Sequence, residues 1–127
     1  MIISLKFTFY ISLLFLTIIS LWPGNLLGLL FYNDLEREPN LVKNPYGSSI
    51  NHFIYYIYVS LLGFFVYMKD NNFKKLVSGL FILSIIFELI HLIIPKRAFE
   101  MHDLLFNICG VAVAYFVINI YLFIKES

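Results

Sequence analysis

Four apolar stretches separated by short polar connections leave this chain few ways to fold. They run over about residues 3–22, 50–68, 73–94 and 103–124. A helix needs about 20 predominantly apolar residues to cross the hydrocarbon core of a bilayer, and each stretch meets that requirement. Composition agrees: the 127 residues are 61% hydrophobic and only 13% charged, where a soluble domain carries roughly 25% charged residues. Too little polar surface is left to cover a water-soluble fold. The expected fold is all-α, a four-helix transmembrane bundle formed by a single domain over residues 1–127, with membrane lipids around it. The formal net charge of +1 supplies no basic face to neutralise phosphates, so no nucleic-acid partner is expected.

The first stretch reads as an uncleaved signal anchor. No small-x-small cleavage site follows it; the run meets Trp22-Pro23-Gly24-Asn25 instead. Pro23-Gly24 ends or kinks that helix, and Leu26 to Tyr32 is too short to cross alone. It either continues the kinked helix or lies along the interface. Residues 33–49 form the longest polar connection, broken by Pro39, Pro45 and Gly47. Four crossings put both termini and the turn at 69–75 on one side with Lys6, Lys69, Lys74, Lys75 and Lys125. Arg37, Lys43, Lys96 and Arg97 lie on the other. Five cations against four orient the termini inside. Cys109, the lone cysteine, has no partner for an internal disulfide and reads as a small packing residue.

Glu88 stands inside an otherwise apolar run and opens the pattern Glu88-x2-His91-x3-Pro95-x-Arg97-x5-Asp103-x3-Asn107-x2-Gly110. A carboxylate within lipid is costly, so it normally has a partner or a task. Glu88 lies seven residues before Pro95, about 10 Å along a helix, below the interface but not at mid-bilayer. Ser84, Glu88 and His91 share a helix face by their i, i+4, i+7 spacing. Arg97, whose planar fork suits a carboxylate or a phosphate, is the cationic partner expected to reach back to Glu88. On the fourth helix Asp103, Asn107, Gly110 and Ala114 form one stripe, polar at the surface and small further in. Gly110 and Ala114 are a small-xxx-small pair that admits a close neighbour, and the short loop after Pro95 makes the third helix the expected one. His52, Tyr56, Val59 and Gly63 form the matching stripe on the second helix. The expected pocket is lined by His52, Tyr56, Glu88, His91, Arg97, Asp103 and Asn107.

Other roles compete for these residues. Asp103 is a good N-cap for the fourth helix, and Asn107 is suited to an interhelical hydrogen bond. Glu88-x2-His91 matches the Glu-x-x-His pair of metal-binding bundles, with His52, His102 and Asp103 as further ligands. Only one such pair exists, so neither a metal nor another cofactor is expected.

The spaced polar residues resemble those of the VanZ-like family of small membrane proteins. Its signature is similar to Glu88 through Gly110 here; its His-Phe-x2-Tyr element is similar to His52-Phe53-Ile54-Tyr55-Tyr56, and its Ser-Leu-x-Pro element to Ser20-Leu21-Trp22-Pro23. The chain departs from the family at His91, where Gln is common, at Ser49 for Lys, and at Ala114 for a second Gly. The resemblance implies a multi-pass protein of the bacterial cytoplasmic membrane with an envelope role, in a family named for a link to glycopeptide antibiotic resistance. The leading expectation is an outward polar pocket that binds an envelope lipid head group or wall-related ligand, Arg97 holding an anion, Asp103 and Asn107 orienting it, and Glu88 balancing charge. A membrane-embedded enzyme on a lipid-linked phosphate or ester is the alternative, with Glu88 as its catalytic acid/base and His52 or His91 assisting. A small transporter is the third reading, and with four helices it requires an oligomer.

Overall fold

In a computed structural model that describes residues 1–127, the chain forms five helices and no strand. They are α1 (Ile2–Leu21), α2 (Leu26–Tyr32), α3 (Ser49–Tyr67), α4 (Phe73–Ile90) and α5 (Met101–Glu126). The fold is an all-α bundle, as expected, with one helix more than the four expected.

The extra helix follows from the break at Pro23-Gly24. Trp22 leaves α1 in an extended conformation, and Gly24 takes φ +74°. A Cβ at Gly24 would lie 2.8 Å from the Leu35 carbonyl oxygen, so both backbone angle and space require glycine there. The Gly24 N–H donates to the Pro95 oxygen at 3.0 Å and the Asn25 N–H to the Leu35 oxygen at 2.7 Å. These bonds prevent α1 from continuing. Asn25 then starts a new helix, its side chain accepting from the Gly28 N–H at 2.8 Å. Asn33, in the left-handed region, closes it after seven residues.

Two other boundaries differ from expectation. α4 stops at Ile90 rather than near residue 94. The N–H groups of His91, Leu92 and Ile93 bond three residues back, to Glu88, Leu89 and Ile90, a tightening of the last turn ahead of Pro95. α5 begins at Met101 with Glu100 as N-cap, so Asp103 sits in the first turn and does not cap the helix.

α1, α3 and α5 are long and apolar enough to cross a membrane. α4 falls short of the expected fourth span because Lys74, Lys75 and Glu88 lie within its 18 residues. It nonetheless packs between the others, touching α1, α3 and α5. Met1, Lys69 and Lys125 border one cavity, so the termini and the turn at 69–75 gather at one end of the bundle. Large apolar side chains such as Phe7, Leu14, Ile82, Phe116 and Phe123 remain exposed on its outside, far more apolar surface than a monomer in water tolerates.

α3 and α5 form the most extensive helix pair. Gly110 lies against α3, where an added Cβ would meet Tyr56 Cβ at 2.8 Å and the Phe53 carbonyl oxygen at 2.9 Å. The partner of the small-residue stripe is therefore α3, not the third expected helix. The chain turn after Pro95 fixes which helix is adjacent in sequence, whereas the small residues fix which backbone comes close. Gly63 accommodates α1 in the same manner, its Cβ position 2.6 Å from the Phe9 ring. Ala114 is fully buried beside them.

Substituting Gly110→Ala forces two helix backbones apart and should cost about 1–3 kcal/mol. Gly79→Ala, on the open face of α4 with nothing within 4 Å, should be neutral or stabilise by up to about 1 kcal/mol. Unfolding of the two variants in the same detergent measures the contrast.

Candidate functional site

Eight of the 24 buried residues are polar or charged, and six of them cluster at the end of the bundle opposite the termini: Ser49, Asn51, Glu88, His91, Asp103 and Asn107. Glu88, at 0% exposure, is the hub. Its Oε1 accepts the Glu100 backbone N–H at 3.2 Å and lies 3.2 Å from His91 Nδ1. Its Oε2 accepts from Asn107 Nδ2 at 3.4 Å and lies 3.9 Å from His52 Nδ1. One carboxylate thus ties α3, the end of α4 and the start of α5.

Donor and acceptor counting places the protons. His91 Nε2 is 3.0 Å from the Ser20 carbonyl oxygen, which only accepts, so Nε2 carries hydrogen. Asn107 Nδ2 donates to Glu88 and to the Ser84 oxygen, so its Oδ1 accepts from His52 Nδ1 at 3.0 Å. His52 Nδ1 therefore carries hydrogen as well. The remaining faces of the two rings each meet an acid: His91 Nδ1 meets Glu88, and His52 Nε2 meets Asp103 Oδ2 at 3.3 Å. A hydrogen bond across each gap needs one proton, on ring or carboxyl. Either placement leaves each acid–imidazole pair electrically neutral, the arrangement that a low-dielectric interior favours.

Arg97 does not bridge to Glu88. Its Nη2 donates to the Ile19 oxygen at 2.5 Å and its Nε to the Trp22 oxygen at 3.3 Å. With His91 on Ser20, these bonds satisfy the orphaned carbonyls at the C-terminus of α1. Burial holds the Arg97 guanidinium below its ordinary value, opposed by the nearby carboxylates of Glu38, Glu88 and Asp103.

Two cavities adjoin this network. The first, about 50 Å³, is lined by residues of α1, α2, α3, the 33–48 loop and the segment after α4, including Glu38, Asn51, His52, Tyr56, His91 and Arg97. At roughly 10–15 Å³ per water centre, it has room for about four waters. The second, about 200 Å³, is bordered by Glu36, Glu38, Glu100 and Asp103 together with Lys96, Arg97 and His91. Glu38 and Arg97 border both. Burial raises the Glu100 carboxyl above the usual range, helped by the like charges of Asp103, Glu38 and Glu88. Three buried atoms at this end have no partner: Asn51 Oδ1, Tyr56 OH and Asp103 Oδ1.

The structure therefore brings His52, Tyr56, His91, Arg97 and Asp103 to cavity walls. Glu88 and Asn107 border neither cavity and lie behind them. Gly63, Gly110 and Ala114 act in packing, as described above. His102 is exposed in the first turn of α5. His52, Glu88 and Asp103 each offer one ligand atom within 4.8 Å of the others; of the further metal ligands considered, His52 and Asp103 thus gather at Glu88, and His102 does not. Sequence reasoning missed Glu38, Asn51 and Glu100. Asn51 was the most accessible, being the polar neighbour of His52 at the start of an apolar helix. Glu38 and Glu100 are loop acids with no periodic signal.

A family model described as VanZ/LLP1 matches residues 4–123. No curated protein and no solved structure matches the chain.

Asn107→Ala removes two donations and one acceptance from a buried network and should destabilise the protein by about 1–3 kcal/mol in thermal or denaturant unfolding. Glu100→Gln should act in the other direction. Because the folded-state value of Glu100 is raised, its ionised form opposes folding at neutral pH. The variant gains stability at pH 7, and the gain vanishes below about pH 4.3, where a glutamate is neutral in folded and unfolded chains alike. Melting curves at the two pH values measure it.

Proposed function

The chain belongs to the VanZ/LLP1 family, and on that premise we propose that it is a multi-pass protein of the bacterial cytoplasmic membrane that binds an envelope lipid head group or wall-related ligand at its polar end. In this reading the termini and the lysine-bearing turn at 69–75 face the cytoplasm, and the cavities face outward. The observation that carries it is the pairing of small cavities with buried, unpartnered polar atoms at one end of an otherwise apolar bundle. Three helices long enough to cross a membrane support the location. Such atoms are costly unless water or a ligand meets them.

The residues divide by role. His52, Tyr56, Asp103 and the free N–H groups of Arg97 meet the ligand. His91 and Asn107 hold the walls in place. Glu88 balances charge behind them. The link to glycopeptide antibiotic resistance follows the family name and is part of the same proposal.

A catalytic role for Glu88 is the competing reading, favoured by the proton it shares with His91. Its distance from both cavity walls favours support over chemistry.

Deleting the gene in its host should change the envelope lipid profile or the sensitivity to wall-directed antibiotics. A strain carrying Tyr56→Phe together with Asp103→Asn, present in the membrane at normal level, should behave like the deletion. Wild-type lipids and sensitivity in the deletion strain would remove the proposed role.

A further inference from the structure

The charge and hydrogen-bond balance of the cavity pair specifies the ligand more closely than its position does. Four carboxylates, those of Glu36, Glu38, Glu100 and Asp103, border the second cavity against two permanent cations. Lys96 lies 3.9 Å from Glu36. Arg97 directs two of its donors at backbone carbonyls. His52 balances Asp103, as described above, so Glu38 and Glu100 stand against Arg97 and one negative charge remains in excess across the two cavities, which disfavours an anion.

The unpartnered atoms point the same way. Asn51 Nδ2 donates to the Pro39 oxygen at 2.6 Å, which fixes the amide so that Oδ1 is an acceptor without a donor. Asn51 is 7% exposed and Tyr56 2%, and both line the first cavity. Asp103 directs Oδ2 at His52 and borders the second cavity, not the first, so the acceptors of the first are Asn51 Oδ1 and Tyr56 OH. The Tyr56 oxygen can accept as well. What these walls lack is a compact, positively charged group with several N–H donors.

We propose that this end of the protein binds a primary ammonium, held in the first cavity by Asn51 Oδ1, Tyr56 OH and the charge of Glu38. This rests on the envelope-ligand reading above and names the chemistry of the group that enters. The size fits: about 50 Å³ admits an –NH3⁺ and its adjoining methylene but no large head group whole. A quaternary trimethylammonium carries no N–H donor and leaves Asn51 Oδ1 and Tyr56 OH unmet. The ammonium can belong to a free amine or to an aminated lipid head group.

Native mass spectrometry of the full chain, with lipids of identical acyl chains but different heads, tests the assignment. An ethanolamine phospholipid should bind at least about tenfold more tightly than its choline counterpart, the difference that hydrogen bonds to a charged donor produce. Tyr56→Phe removes only an oxygen that has no partner in the fold, so it should not lower the melting temperature, while it narrows the preference. Glu38→Gln should narrow it too. Ethylamine that raises the melting temperature as strongly as the lipid would identify a free amine as the source; a shift seen only with the lipid would identify the head group. Equal binding of ethanolamine and choline lipids overturns the ammonium assignment. So does preference for an anionic lipid, which would leave the envelope-lipid reading standing. Binding of no lipid and no amine overturns the assignment and also counts against that reading.

Discussion

The Glu88–His91 pair is the contact on which the polar end of the bundle depends. A charged residue at the centre of a membrane helix costs about 3 kcal/mol on insertion scales. An interhelical hydrogen bond between neutral groups returns only about 0.6 kcal/mol. Bonds from Asn107 and the Glu100 N–H alone would not offset the burial of a free carboxylate. A proton shared with His91 changes the sum, because the pair enters the apolar interior neutral. Once neutral, the pair also aligns the bundle. Oε1 and Oε2 hold two points of α5, Asn107 passes the connection to His52 on α3, and the far nitrogen of His91 holds α1.

The same economy of donors explains the segment after α4. A helix that ends inside an apolar bundle leaves its last carbonyls without partners, and α1 ends among neighbours rather than in open solvent. Pro95 stops the preceding chain, and Lys96 adopts φ +59°, an uncommon angle for a residue with a side chain. That turn carries the guanidinium of Arg97 back over α1, while the Pro95 carbonyl takes the Gly24 N–H. The break after α1 and the break after α4 therefore satisfy each other. His91 donates to Ser20 from the remaining side, which gives the histidine a structural task on both of its nitrogens.

The sequence made the bundle and the location of its polar end legible, for identifiable reasons. Apolar length reports helices directly, and the stripe Asp103-Asn107-Gly110-Ala114 reports a buried face because period and polarity agree. What it did not report were choices among equivalent partners. Arg97 had a visible acid in Glu88, yet backbone carbonyls, which every sequence contains and none displays, took its donors. Gly110 announced a close approach without saying which helix would make it. The second cavity is built mainly from loop acids, and a loop has no period from which a shared wall can be read. α4 shows a different limit. Its apolar run extended to residue 94, but hydrophobicity is blind to a last turn that tightens ahead of a proline.

These features bear on how a ligand reaches the site. Helices form most of the wall and are locked together through Glu88, Asn107 and the glycine contacts, so they cannot widen without breaking the network. The 33–48 segment is fastened to the helices and the turn after α4 by a handful of bonds: the Asn25 N–H to the Leu35 carbonyl, the Asp34 N–H to the Gly28 carbonyl, Asn51 Nδ2 to the Pro39 carbonyl, and Lys96 to Glu36. Any widening therefore occurs on the loop side, which brings Glu38 with it. A rigid cavity of this size selects by the hydrogen bonds offered at its tip, not by the bulk of the whole ligand. A large envelope molecule is then recognised by one small terminal group while the rest of it stays in the lipid or at its surface, and no cavity large enough for the whole molecule is needed.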